Sequence, residues 1–166
     1  MRDTINKTEI IQIRAICGVI RDWLVTHAQR IKSKDFDFVD LGCMCAYSST
    51  IVFAVLEQYK EFAPHLIFHY GDHHCYLQYK SYLLDLTATQ FGAEHEIVFQ
   101  PMNKPIKGLY HTDLHEYFNS KTTQKLTSLD DIFETVSNEY PTEQYFNTRT
   151  HLKRVLTSVM KKVEQL

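Results

Sequence analysis

Three residue types that together perform acyl chemistry follow one another through the middle of the chain. Cys45 opens an apolar run just after Gly42, His74 heads an alternating segment, and Asp85 sits in the otherwise apolar Tyr82-Leu83-Leu84-Asp85-Leu86. A thiol at a helix N-terminus is driven toward thiolate, because the peptide dipoles and unbonded N–H groups favour the anion. The same N–H groups can stabilise a developing oxyanion. A histidine in reach completes an activated nucleophile. A carboxylate behind it fixes the imidazole tautomer and favours the charged ring. A buried carboxylate is costly without a partner, so Asp85 should have one, and His73 and His74 are the candidates. Each residue also has a plainer use. Asp85 could serve as a structural pair or turn partner, and a cysteine in an apolar helix often only packs.

Side-chain parity chooses between the histidines. "HCYLQY" and "YLLDLT" are separated by Lys80-Ser81. If those two residues form the loop, Tyr79 faces Tyr82, Gln78 faces Leu83 and Tyr76 faces Asp85. His74, Tyr76 and Gln78 then share one face with Asp85, and His73 points to the other. His74 is diagonal to Asp85, a relation that puts β-carbons roughly 7–8 Å apart, within reach of long side chains. A one-residue change in loop length would undo the pairing. Tyr76 and Gln78, on the same face, are the candidate substrate contacts, with plain sheet packing the equal alternative.

These residues need a helix and a sheet to hold them. Ile10, Ile13, Cys17, Ile20, Leu24, Ala28 and Ile31 follow helical spacing, which predicts an amphipathic helix over 8–31 capped by Thr8. "KSKDFDFVDLGC" is a polar-aromatic connector. "CAYSSTIVFAVLEQY" is apolar on most faces and lacks Gly and Pro, so a buried helix is expected there. Four short strands follow in "HLIFHY", "HCYLQY", "YLLDLTA" and "HEIVFQ". "PMNKPIKG" is a loop and "SLDDIFETV" a short helix. A last helix, capped by Thr142, places Tyr145, Leu152, Val155, Val159 and Val163 inside. Consecutive strands with short links imply an antiparallel sheet and an α+β class. The expectation is one domain over 1–166, with an N-terminal helix at 8–31, a core at 40–100 and a helical part at 128–164.

Composition narrows the function. At 166 residues and 44% hydrophobic, the chain suits one folded domain with a sizeable core. A net charge of -2 with mixed signs is no footprint for nucleic acid. The Lys153-Arg154 and Lys161-Lys162 pairs read as the solvated face of a helix. No apolar run is long enough for a membrane span, and "MRDTINKTEI" lacks a signal peptide's order. A cytoplasmic protein is expected; secretion as an effector by another route would leave no such mark. Cys43 and Cys45 are too close together for a simple disulfide framework, which suits a reducing compartment.

The order of cysteine at a helix start, histidine on a strand and aspartate on the next resembles the papain-like and transglutaminase-like thiol enzymes. "HCYLQYKSYLLDLTATQF" is similar to a segment of small bacterial transglutaminase-like proteins, matching at His74, Leu77, Tyr79, Leu84, Asp85, Thr87, Ala88, Gln90 and Phe91. "CAYSS" resembles their helix start. The resemblance covers roughly residues 40–92 and implies a central helix packed on an antiparallel sheet with flanking helices. It implies a Cys45, His74, Asp85 triad without cofactor or metal, and a role for Gln90 in holding the site. Tyr76 stands where tryptophan is common. Cys43 stands where glycine usually precedes the nucleophile, and matching Gly42-Cys43 directly would make Cys43 the nucleophile instead. Cys45 is favoured because "CAYSS" then registers with the helix. No glutamine lies upstream in the papain position.

The expected activity is cysteine-dependent hydrolysis of a protein or peptide amide through a thioester, as a glutamine deamidase or peptidase. Acyl or amine transfer with the same triad is the alternative. Two non-catalytic readings also stand. One is a binding module. The other is a zinc domain using Cys43, Cys45, His74 and Cys75, with His73 nearby, although the spacing matches no common zinc motif. In "YHTDLHEYF", His111, His115 and Glu116 read as an amphipathic surface piece. Ser48, Ser49 and Thr50 lack a glycine elbow and read as helix packing.

Overall fold

The computed structural model describes residues 4–31, 41, 44–71, 74–109, 123–139 and 149–166. Within them the chain forms helix α1 (Lys7–Ile31), helix α2 (Cys45–Leu56), strands β1 (Leu66–Tyr70), β2 (Cys75–Tyr79), β3 (Tyr82–Asp85), β4 (Val98–Pro101) and β5 (Gln124–Leu126), helix α3 (Leu129–Glu139) and helix α4 (Arg149–Val163). The five strands make one antiparallel sheet in the order β4-β3-β2-β1-β5. The class is α+β. No helix among the described residues is long and apolar enough to cross a membrane.

All twelve residues of α2 are buried, as a helix apolar on every side requires. It packs against β1 and β2 and against α1, α3 and α4. Two of its polar side chains bond to main-chain carbonyls: Thr50 Oγ1 donates to the Ala46 carbonyl at 2.7 Å, and Ser49 Oγ donates to the Cys75 carbonyl at 3.2 Å. Around it, Ile13, Cys17, Ile20 and Leu24 of α1 and Leu152, Val155, Val159 and Val163 of α4 complete the larger core. α3 adds Ile132 and Val136. Its start is fixed by Ser128, whose Oγ accepts the Asp131 N–H at 3.1 Å.

Several boundaries differ from expectation: α2 ends at Leu56 rather than near Tyr59, and β3 ends at Asp85, short of Leu86-Thr87-Ala88. α1 is capped by Asn6, not Thr8. Asn6 Oδ1 accepts the Glu9 N–H and Glu9 Oε2 accepts the Asn6 N–H, each at 2.9 Å. This is a capping box, in which a residue three places on returns the bond; Thr8 has Ile11 at that place and could not close one. The edge strand β5 was not foreseen, because three residues with two exposed carry no readable alternation. Tyr145, Thr142, Cys43, His73, His111, His115 and Glu116, together with the 32–40 connector, lie outside the described residues.

The β2–β3 hairpin sets the register for the site. Tyr79 pairs with Tyr82, Gln78 with Leu83 and Leu77 with Leu84, so Lys80-Ser81 is a two-residue loop. Lys80 adopts φ 53, the left-handed backbone that primed hairpin turns require. Alternation then divides the sheet. Phe68, Cys75, Leu77, Tyr79, Leu84 and Phe99 join the core under the helices. Tyr76, Leu83 and Val98 face the other side and pack with Ala88, Ala93 and Ile106 from the segment that follows β3.

Candidate active site

Cys45 is the first residue of α2. Met44 at the N-cap makes no side-chain cap bond, so no cap competes with the sulfur for the first-turn N–H groups. The Met44 N–H is itself bonded to the Leu41 carbonyl at 3.1 Å, in a turn where Leu41 has φ 55.

His74 immediately precedes β2, and Asp85 ends β3. The His74 Nε2–H donates to Asp85 Oδ2 at 2.5 Å, with both side chains buried. The other carboxylate oxygen is also occupied. Asp85 Oδ1 accepts from the Thr87 N–H at 2.8 Å and the Thr87 hydroxyl at 3.0 Å. Thr87 therefore aims the carboxylate while His74 takes its far side. A 3₁₀ turn, Ala88–Phe91, follows, and the Phe91 ring meets the His74 ring edge-on at 4.9 Å. Gln90 lies half-buried in that turn.

The ring and the Cys45 thiol lie close enough to shift one another's pKa. Burial disfavours a charged ring, yet the Asp85 carboxylate and the Cys45 sulfur outweigh it and raise His74 to about 10. Cys45 moves the other way. A hydrogen bond from the Cys75 thiol is the largest cause; burial opposes it, and His74 and the Cys75 N–H assist, leaving Cys45 well below 9.0. The two shifts run in the directions that favour a thiolate beside a charged imidazole. Of the three residues only Cys45 keeps a trace of surface, 7% against 1% for each partner.

Tyr76 does not line a cleft, whereas Gln78 lines a groove away from His74. Tyr76 is completely buried and lies between two imidazoles, with its ring 4.6 Å from His69 and 6.4 Å from His74. The residues after β3 cover that face of the sheet and leave it no surface. Gln78 Nε2 donates to the Lys80 carbonyl at 2.6 Å, and its Oε1 is 2.8 Å from His69 Nε2. That fixes His69 as the Nε2–H tautomer, with Nδ1 accepting from the Thr123 hydroxyl at 2.9 Å. Burial pushes the His69 pKa down, consistent with a neutral ring. Gln78 also lines a surface groove of about 740 Å³ with Ile5, Tyr82 and Met102. It lies four residues along the strand from His74, about 13 Å at strand rise.

Several residues have places at the site that the sequence did not assign them; Thr87 entered only as a matched position and Cys75 only as a ligand in the zinc reading. Thr87 has a readable signal, the Asp-x-Thr spacing that closes a local side-chain bond to the backbone. Arg21 has none, because its role depends on where β3 ends. Arg21 of α1 is buried and donates to the Leu86 carbonyl, directly after Asp85; its Nε also lies 3.7 Å from Glu96 Oε2. No group of three or more His, Cys, Asp or Glu side chains among the described residues is arranged to hold a metal ion. No protein-family model matches the chain, and neither a curated protein nor a solved structure matches it.

Proposed function

We propose that this chain is a cysteine hydrolase of protein or peptide amides, built on a papain-like or transglutaminase-like core. One observation carries the reading: a buried His74–Asp85 hydrogen bond, with the Cys45 thiol at the start of a core helix close enough to the same imidazole for the two to titrate together. A structural histidine–aspartate pair has no need of a thiol held beside it and shifted toward thiolate.

The chemistry follows from the arrangement. The Cys45 thiolate attacks the amide carbonyl carbon, and the electron pair moves to the oxygen. First-turn N–H groups of α2 receive the oxyanion. His74 gives its proton to the departing nitrogen, the C–N bond breaks, and a thioester remains. His74, now neutral, takes a proton from water as the water attacks the thioester, and the acid and the thiolate separate. Asp85 keeps the proton on Nε2 throughout and stabilises the charged ring. A cytoplasmic setting keeps such a thiol reduced.

The same steps release ammonia from a glutamine side chain or an amine from a peptide bond. A primary amine replacing water would make the protein a transferase. Purified protein is incubated with candidate protein substrates, with and without a primary amine probe, and ammonia, new peptide ends and probe incorporation are followed. Hydrolysis lost in both Cys45→Ala and His74→Ala supports the reading. Full activity in Cys45→Ala, or activity that requires Cys43 instead, overturns it. Incorporation of the amine in preference to hydrolysis would favour transfer.

A further inference from the structure

Among the described residues Asp85 is the one buried acid, and Arg21 is the one buried Lys or Arg side chain. Enclosing a charge is costly unless charges or dipoles meet it, so a guanidinium taken out of water needs a use there. Its position supplies one. Helix α1 is tied to the β3–β4 side of the sheet along its length. Glu9 bonds Tyr79 and Lys80 at the hairpin end, and Arg14 Nη2 donates to the Phe99 carbonyl at 2.9 Å. Arg21 reaches the other end, where β3 stops. The β3–β4 ladder closes there with the Asp85↔Val98 pair. Beyond that pair, Arg21 Nη1 donates to the Leu86 carbonyl, and Arg21 Nε lies 3.7 Å from Glu96 Oε2. Leu86 and Glu96 stand at the two ends of the β3–β4 connection, so one guanidinium spans its base. That connection carries the groups that hold the site: Thr87 bonds Asp85 Oδ1 twice, and Phe91 packs on the His74 ring.

We propose that Arg21 is a positioning residue of the site: by clamping the base of the β3–β4 connection it fixes the Asp85-Leu86-Thr87 backbone, and with it the angle at which Asp85 meets His74. An apolar side chain of similar length would pack in the same place and leave the Leu86 carbonyl without this donor. A lysine would keep the charge, but its single ammonium has no fork with which to span Leu86 and Glu96. Charge balance points the same way. The Cys45–His74 pair sums to zero wherever its shared proton sits, so Asp85 leaves one buried negative charge, and Arg21 brings a positive one to the residue beside it. The inference rests on the proposed role of the His74–Asp85 pair, but its first readout does not involve Cys45.

The test compares wild type, Arg21→Met and Arg21→Lys, each checked by circular dichroism to be folded at the temperature used. The first readout is the low-field proton NMR signal of the His74 imidazole N–H that bonds Asp85, assigned by its loss in His74→Ala. The second is iodoacetamide labelling of Cys45 at pH 7.5, read by peptide mass spectrometry. In Arg21→Met the signal should move upfield and broaden through faster exchange with water. Labelling should slow by about fivefold, because the bond to the charged ring is misaligned and not removed. Arg21→Lys should fall between Arg21→Met and wild type in both readouts. A folded Arg21→Met that keeps the wild-type signal overturns the inference. Slow Cys45 labelling in wild type beside an intact signal defeats the nucleophile reading, and the signal in Arg21→Met still decides the inference. Should Arg21→Met fail to fold, Arg21→Lys decides alone: a displaced signal supports the clamp, and one that overlays wild type overturns it.

Discussion

Replacing Asp85 by asparagine should dismantle the ion pair without removing volume. The carboxylate serves His74 with one oxygen and Thr87 with the other. Asparagine has one acceptor oxygen. If it faces Thr87, its NH2 group meets His74 Nε2 and forces the proton to the other nitrogen. If it faces His74, the Thr87 N–H meets another donor. Either way the counter-charge is gone. With His74 at about 10, the charged ring outweighs the neutral one by about 300-fold at pH 7.5. At the ordinary value of 6.5 only about one ring in ten is charged at that pH, and burial lowers the fraction further. The thiolate paired to it should therefore fall at least tenfold near neutrality. Iodoacetamide labelling of Cys45 at pH 7.5, followed by mass spectrometry, should be slower by that factor or more in Asp85→Asn. Stability should move as well. A raised histidine pKa contributes fully below pH 6.5 and is lost as the pH rises through about 10. Wild type should accordingly lose stability over that window, while Asp85→Asn starts about 3 kcal/mol lower and loses less, as expected when one partner of a buried pair is removed. Equal labelling rates at pH 7.5, in a folded variant, would refute the reasoning.

Three other substitutions test how the scaffold holds the site. Arg21→Met leaves the buried Leu86 carbonyl without the Arg21 guanidinium and should cost about 2–3 kcal/mol in urea unfolding. Glu9 accepts from Lys80 Nζ at 2.7 Å and the Tyr79 hydroxyl at 2.6 Å. Despite the opposing effect of burial, these bonds and the one from the Asn6 N–H hold its carboxyl at about 2. A lowered acid pKa contributes above the unfolded value and is lost as pH falls through the folded one. Glu9→Gln should thus be less stable by about 1–2 kcal/mol at pH 7, and the gap should close between pH 4.5 and 2 in thermal melts. Gly108 has φ 89, and a Cβ there would lie 2.4 Å from the Gly92 carbonyl, so Gly108→Ala should lower the melting temperature through a cost of about 1–3 kcal/mol.

The parts legible in the sequence were those fixed by short-range rules. A two-residue loop at Lys80-Ser81 was enough to set the hairpin register and bring His74 and Asp85 to the same side. A twelve-residue run without a polar face could only be a core helix. The Asn6 cap was also readable, since Asn6-x-x-Glu9 closes a capping box and Thr8-x-x-Ile11 does not. What escaped depended on distant packing. Tyr76 looked available to a ligand because nothing local shows that residues 88–106 fold over its face. The part played by Arg21 depends on α1 crossing behind the end of β3. β5 is too short to announce itself, and it is held through the His69–Thr123 bond from outside its own sequence.

The central claim is that Cys45 rests as a thiolate against a charged His74. Ultraviolet difference titration at the thiolate absorbance, wild type minus Cys45→Ala, measures it without a substrate. The difference should already be present at pH 6 and disappear only on further acidification. A difference that develops only as the pH rises past the ordinary thiol value of about 8.5 would contradict it.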